Sequence, residues 1–357
     1  MIWLFHISMI TILLIVAKLF QKDKFFIYSS FIYAIIIFGQ RWMTGTDFPY
    51  YLRYYLTDFD GADPGYYLIQ KILTEGNLYF GLLIFIVFTL TLYNNYRFII
   101  KIDKHTELMI FLFLVSEIFF AQMSQIRQFI AVSFFMNSYF YAFHKDYLKS
   151  ALGVVGGLLF HTSILFLVPF LFIRLKLDKV KTLYLLIFSG VLPLLDLTLI
   201  LRLPIFSRYS HYIGGQFDVD LSIFHYFRFY ILLAVVLYFL WTIDRVGKSR
   251  VEQMILNGLV FNFLLYGMSF QFGLFLRVSM YFKVFELVFL AYYYRQTKFI
   301  SNFIAVSTVS LLFIGIYGGL ALTDPYDISD YQFRPLQVFE NRSEGQLRAE
   351  IDEFVNS

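Results

Sequence analysis

The sequence predicts an all-α polytopic membrane protein, with about ten transmembrane helices plus one re-entrant helical hairpin, or eleven plain spans. Three observations lead there. Of 357 residues 59% are apolar and only 15% charged, against about 25% charged in soluble domains. The apolar residues fall in blocks of about 16–24, long enough to cross a ~30 Å hydrocarbon layer as helices. Lysines and arginines gather between the blocks, as the positive-inside bias requires of short cytoplasmic loops. This composition excludes a soluble globular, a nucleic-acid-binding and a disordered chain.

In chain order, block 1–20 lacks a charged leader and a small-residue cleavage site, so it reads as a retained span. Blocks follow at 25–40, 78–96, 108–126, 128–143, 150–173, 183–201, 222–243, 252–274, 279–294 and 299–320. Segment 41–77 holds five acids (Asp47, Asp58, Asp60, Asp63, Glu75) against Arg41, Arg53 and Lys71, and reads as an outer loop. No internal repeat or separate extramembrane domain is visible, so residues 1–322 form one transmembrane domain. Residues 323–357 form a polar C-terminal tail, whose stretch Asn341 to Ser357 has the pattern of one exposed amphipathic helix. With no cysteine, a disulfide, a thiolate nucleophile and a sulfur-ligated zinc site are excluded. No metal is expected: His/Glu spacing of the zinc-protease type is absent, and Asp58, Asp60 and Asp63 read as a solvated acidic loop.

Six basic clusters punctuate the chain: Lys22/Lys24, Arg97/Lys101/Lys104, Lys145/Lys149, Arg174/Lys176/Lys179/Lys181, Arg245/Lys248/Arg250 and Arg295/Lys298. Strict alternation of sides fails only at block 150–173, which has a basic cluster at both ends. If the block enters and returns as two half-helices of about 11 residues, each rising ~16 Å, all six clusters lie inside. Its centre, Gly-Gly-Leu-Leu-Phe-His161-Thr162-Ser163, supplies a polar turn for such a tip. Both termini then lie outside.

In that topology Arg41, Asp47, Arg127, Arg202, Arg208, Arg228 and Arg277 sit at or near the outer face, the side that should be poor in arginine. Each alone has an ordinary alternative, snorkelling to lipid phosphate. Helical periodicity puts Glu117, Ser124 and Gln128 on one face beside Arg127, a stripe unsuited to lipid. Lys283 and Glu286, at i and i+3, read as mutually neutralising structural glue. His161 reads either as a hydrogen-bonded core residue or as a functional group at the re-entrant tip.

Four segments resemble the EpsG family of bacterial envelope proteins. They are Arg41-Trp-Met-Thr-Gly45-Thr46-Asp47-Phe-Pro-Tyr50-Tyr51, Ser124-Gln-Ile-Arg127-Gln128-Phe-Ile-Ala131, Phe160-His161-Thr162-Ser163 and Arg277-Val-Ser-Met-Tyr281-Phe282. Their order and spacing agree over about residues 20–295. Phe48 stands where tyrosine is commoner, and the acidic tail carries no matching motif.

The resemblance implies a Wzy-type polysaccharide polymerase for capsule, exopolysaccharide or O-antigen: a GT-C-like membrane glycosyltransferase without a cofactor. Such an enzyme joins polyprenyl-pyrophosphate-linked oligosaccharide units, which serve as donor and acceptor, at the outer face of the bacterial plasma membrane. A chain-length regulator and a flippase are its implied partners. Arg127, Arg277, Arg41 and Gln128 are the expected pyrophosphate ligands, and Tyr50, Tyr51, Glu117 and Tyr281 line the sugar cleft. The expected base is His161 or Asp47, with Glu117 third. Asp47 is alternatively paired with Arg41, which would weaken it as a base. Two other functions fit parts of the pattern: a flippase of the same lipid-linked units, and a membrane acyltransferase using His161.

Overall fold

The structure, a computed structural model, describes residues 1–57, 59–76, 78–102, 106–195, 223–294 and 299–333, with Gly345, Gln346 and Ala349 beyond. Arg202, Arg208, Arg295, Lys298, Asp58 and nearly all of the expected helix 341–357 lie outside the described residues. The helices are α1 (Ile2–Leu19), α2 (Asp23–Gly39), α3 (Phe48–Leu56), α4 (Pro64–Glu75), α5 (Phe80–Ile102), α6 (Thr106–Leu114), α7 (Glu117–Ser124) and α8 (Ile126–Phe143). They continue with α9 (Tyr147–Leu158), α10 (Lys179–Val191), α11 (Ile223–Thr242), α12 (Arg250–Ser269), α13 (Leu274–Ser279), α14 (Val284–Tyr293) and α15 (Phe299–Thr323). Among the described residues the only strands are β1 (Arg41–Trp42) and β2 (Gln332–Phe333), two residues each and antiparallel. The protein is an all-α membrane protein.

Three described helices are long and apolar enough to cross a membrane: α1, α5 and the stretch His225–Thr242 of α11. Shorter apolar helices accompany them, and α6 with α7 forms a span-length pair bent by 53°. The chain divides into two compact units. The first comprises Met1–Tyr139, Tyr147–Leu165 and Phe313–Ser357, the second Phe140–Asp146 and Phe166–Leu312.

In the first unit, block 108–126 departs from the single helix its composition predicts. It breaks between Leu114 and Glu117, and again at Gln125 (φ −91, ψ 59) before α8. Neither break has a proline. A helix break frees carbonyls, which need other donors. Here the fully buried His6 of α1 bonds the Leu114 carbonyl through Nε2 at 2.9 Å, with Nδ1 3.1 Å from the Tyr33 hydroxyl. The His6 ring stacks on Phe119 at 5.2 Å. Because α8 is offset from α7, Gln128 is out of helical register with Glu117 and Ser124, correcting the single stripe expected from periodicity.

Block 150–173 is interrupted at its polar centre. Helix α9 stops at Leu158, a turn carries Phe160 and His161, and a 3₁₀ run Thr162–Leu171 follows. Three glycines let α9 approach α8: a Cβ at Gly153 would meet Ser138 Oγ at 2.2 Å, and one at Gly156 the Phe134 ring at 2.9 Å. At Gly157 it would lie 3.2 Å from Phe134 Cβ. Lys101, at the end of α5, donates to Asn137 Oδ1 of α8 at 3.0 Å, and Lys18 bridges Asp23 (2.8 Å) and Glu107 (2.7 Å).

The second unit is organised around α12. Two amides one turn apart on it, Gln253 and Asn257, exchange hydrogen bonds with the main chain of Leu177 and Leu175 at 2.7–2.9 Å. They hold the basic segment 174–178 as a partner strand would. Arg174 donates to the Ala142 carbonyl and lies 5.7 Å over the Phe143 ring, so the chain just before block 150–173 meets the chain just after it. Lys179 donates to the Trp241 and Ile243 carbonyls at 2.6 and 2.7 Å. The Phe285 ring of α14 lies against Gly258, where a Cβ would be 2.4 Å away. Glu286 accepts from Asn262 at 2.6 Å and Lys283 lies 5.6 Å over the Tyr266 ring, polar glue between α12 and α14.

Candidate functional site

Three of the four motif segments converge in the first unit. The loop before α3 is built on Arg41, a buried guanidinium that donates to three main-chain carbonyls: Phe38 at 2.9 Å, Met123 at 2.9 Å and Thr44 at 3.3 Å. This corrects the expected Arg41–Asp47 pair and takes Arg41 away from the pyrophosphate ligands. A buried guanidinium whose donors meet carbonyls shapes the chain around it.

Gly45 follows at φ +104, where a Cβ would sit 2.6 Å from the Met123 carbonyl oxygen. Its neighbour Thr46 bonds Ser124 at the end of α7, tying the first motif to the second. Asp47 is the N-cap of α3, half-buried, with its carbonyl accepting from Tyr51 N–H at 3.2 Å. Tyr50 points out to solvent at 59% exposure, whereas Tyr51 is buried beneath it.

Arg127, one residue into α8, is the centre of the site. Its Nη1 donates to Asp63 Oδ2 at 3.0 Å, and its guanidinium carbon lies 5.8 and 6.0 Å from the Tyr51 and Tyr66 ring centroids. The side chain is only 25% exposed and pairs with Asp63 inside the protein, which argues against lipid snorkelling. Burial, and then the Asp47 carboxylate, push the Tyr51 phenol up to about 12, so it stays a neutral hydroxyl facing Arg127. Arg127 Nε and the Tyr66 hydroxyl are buried with no hydrogen-bond partner among the described residues. Such unmet polar groups are rare in interiors, and a water, an ion or a ligand can supply the missing atoms. Gln128 lies buried beside Arg127.

Sequence reasoning missed Asp63 and Tyr66, reading the acid as a solvated loop residue. Asp63-Pro64-Gly65 is nonetheless a helix-start signature, with an acid at the N-cap and proline at the first helical position. That signal marks α4 but not the direction of the carboxylate, which reaches across 64 residues of sequence.

The third motif packs against the start of α4. Gly65 N–H donates to the Leu159 carbonyl at 2.6 Å, docking the start of α4 on the end of α9. Phe160 stacks on Phe134 at 6.2 Å and joins the core that includes Tyr51 and Tyr66. Phe134 is seven residues beyond Arg127 on α8, so the turn carrying His161 lies about 10 Å along the helix from it. His161 Nδ1 receives the Ser163 N–H at 3.2 Å and lies 2.7 Å from Ser163 Oγ. A neutral ring that accepts at Nδ1 carries its proton on Nε2, so His161 presents a donor.

Glu117 accepts from the Tyr326 hydroxyl at 2.7 Å and faces a segment assigned from sequence to the polar C-terminal tail. Residues 324–333 instead strap the first unit. Gly45 N–H donates to the Asp327 carbonyl at 3.1 Å, Arg41 pairs with Phe333 across β1 and β2, and Trp3 donates to Ser329 at 3.2 Å. The fourth motif lies in the second unit, with Arg277 exposed near the end of α13 and Tyr281 fully buried just beyond it.

A helical membrane protein with a guanidinium held between two tyrosines, beside a broken helix, is the class this geometry defines. The EpsG family model matches residues 24–337. The chain belongs to the EpsG family, exopolysaccharide-type membrane proteins. The match extends past the span of the four motifs and takes in the strap. No curated protein and no solved structure matches the chain.

Proposed function

We propose that this protein is a polysaccharide polymerase of the Wzy type, a GT-C-like glycosyltransferase of the bacterial plasma membrane with its site facing outward. It joins polyprenyl-pyrophosphate-linked oligosaccharide units. An acceptor sugar hydroxyl attacks the anomeric carbon of the donor glycan; the bond from that carbon to the pyrophosphate oxygen breaks, and polyprenyl pyrophosphate leaves. The observation that carries this reading is Arg127, half-sequestered between Tyr51 and Tyr66 with an unmet Nε–H.

The leaving pyrophosphate gains negative charge as the bond breaks, so a preplaced guanidinium favours the transition state over the ground state. Arginine suits the task because its fork donates two hydrogen bonds to phosphate oxygens. Gln128 is the further pyrophosphate ligand, and Arg41 supports the loop from within. Asp47 takes the hydroxyl proton, while His161 Nε2–H donates to substrate oxygen. Tyr50, with Glu117, belongs to the glycan-binding cleft.

The topology proposed is about ten spans with block 150–173 re-entrant. The contact of Arg174 with Ala142 supports it, because a single crossing would separate those two positions by the membrane. The hydrogen bond from Lys179 to the Ile243 carbonyl supports the same side for one further basic cluster, Arg245/Lys248/Arg250. A chain-length regulator and a flippase are the partners proposed.

Purified protein given a single lipid-linked repeat unit tests the reading. A ladder of lengthening glycans supports it. Transport of the unit across liposomes without new glycosidic bonds would make the protein a flippase, and acylated glycan would make it an acyltransferase.

A further inference from the structure

We propose that Asp63 is a specificity-determining residue: an internal counter-anion that a pyrophosphate displaces from Arg127 and a singly charged phospholipid headgroup does not. This rests on Arg127 being the pyrophosphate ligand. Any arginine at a membrane surface meets bulk anionic phospholipid in large excess over its polyprenyl substrate. A site built only from Arg127 would be filled by the wrong phosphate.

Asp63 occupies that position first. Its Oδ2 is 3.0 Å from Arg127 Nη1, and the two side chains are only 14% and 25% exposed. Exchanging this carboxylate for a phosphodiester replaces one single negative charge by another and gains little. A pyrophosphate brings two to three charges and more acceptor oxygens. It can also meet the groups that Asp63 leaves unsatisfied, Arg127 Nε and the Tyr66 hydroxyl. Discrimination thus comes from a repulsive element as well as an attractive one.

The carboxylate also has somewhere to go. Asp63 is the N-cap of α4 with extended backbone (φ −57, ψ 141), yet its side chain makes no cap bond. A carboxylate at that position accepts a backbone N–H two or three residues on; Gly65 N–H is given to the Leu159 carbonyl, which leaves the Tyr66 N–H as the donor. Release from Arg127 therefore turns Asp63 into the cap of its own helix, next to the partial positive charge at the helix start. The two arrangements need only a side-chain rotation.

The test uses the full chain in phosphatidylcholine nanodiscs, with farnesyl pyrophosphate as probe and phosphatidylglycerol as competitor. Wild-type protein should bind the probe with little change as phosphatidylglycerol is added. Asp63→Asn should let phosphatidylglycerol compete, lowering the selectivity ratio by at least about tenfold. Asp63→Ser, which keeps a capping side chain without the charge, should behave likewise, and Asp63→Glu should retain selectivity. An unchanged ratio in whichever of the Asn and Ser variants folds, with Arg127→Ala abolishing probe binding, overturns the role of Asp63 alone. Absence of probe binding by wild-type protein, or binding that survives Arg127→Ala, overturns the pyrophosphate reading and this inference with it.

Discussion

Replacing Gly45 by alanine tests the architecture of the site at its most constrained point. The residue sits at φ +104, a conformation open to glycine and costly to side-chain-bearing residues, of order 1–3 kcal/mol. The added Cβ would also lie 2.6 Å from the Met123 carbonyl oxygen and 3.2 Å from Ser124 Cα. Those are backbone atoms, and the carbonyl cannot retreat freely because it accepts from Arg41 at 2.9 Å. Overpacking of this kind adds about 1–3 kcal/mol, so the total is about 2–6 kcal/mol. Thermal unfolding of the purified protein in nanodiscs should show a clearly lowered midpoint, and polymerisation should fall because Asp47 is two residues away. Gly318→Ala is the control: nothing lies within 4 Å of its Cβ position in α15, and alanine is favoured by up to about 1 kcal/mol in a helix. A Gly45→Ala protein as stable and active as wild type would refute the account of this loop.

Three further outcomes follow from the structure. Asp47→Asn should abolish turnover, since a general base contributes roughly 10²–10⁴-fold, whereas His161→Ala should leave measurable activity; the reverse order would return the base to His161. A single cysteine at position 178 in this cysteine-free chain should resist an impermeant thiol reagent in sealed cells, while one at the exposed position 50 reacts; labelling at 178 would rule out the hairpin. Burial, and then Asp324 and Asp330, raise the Asp327 carboxyl above its usual range. The folded strap therefore holds this proton more tightly than the unfolded chain does. Stability is lost as pH rises from the ordinary carboxylate pKa through the raised one, and Asp327→Asn should remove that loss; a steeper pH dependence in the variant would contradict it.

Much of the fold was legible because membrane insertion writes itself into composition. Apolar blocks and basic clusters gave an all-α membrane protein, and the polar centre at His161 marked the interruption between α9 and the 3₁₀ run. Gly45 and Arg127 were legible as motif members, but their reasons were not. Breaks at Ser116 and Gln125 carry no proline or glycine signal: one is held open by His6, 108 residues away from Leu114 in sequence. The Arg127–Asp63 pair and the 324–333 strap likewise depend on partners distant along the chain, which periodicity cannot report. His161 was readable as a polar group at a turn. Its donor character depends on which nitrogen the Ser163 N–H meets.

The most direct measurement of the central claim is the steady-state kinetics of Arg127→Lys with a lipid-linked repeat unit as both donor and acceptor. Lysine keeps the charge but loses the fork and the planar fit between Tyr51 and Tyr66. If Arg127 stabilises the departing pyrophosphate, kcat falls on the order of 10²–10³-fold with KM changed far less, the pattern of an interaction strengthened in the transition state. Normal kcat in a folded Arg127→Lys protein would show that any cation suffices there, and would place the chemistry elsewhere.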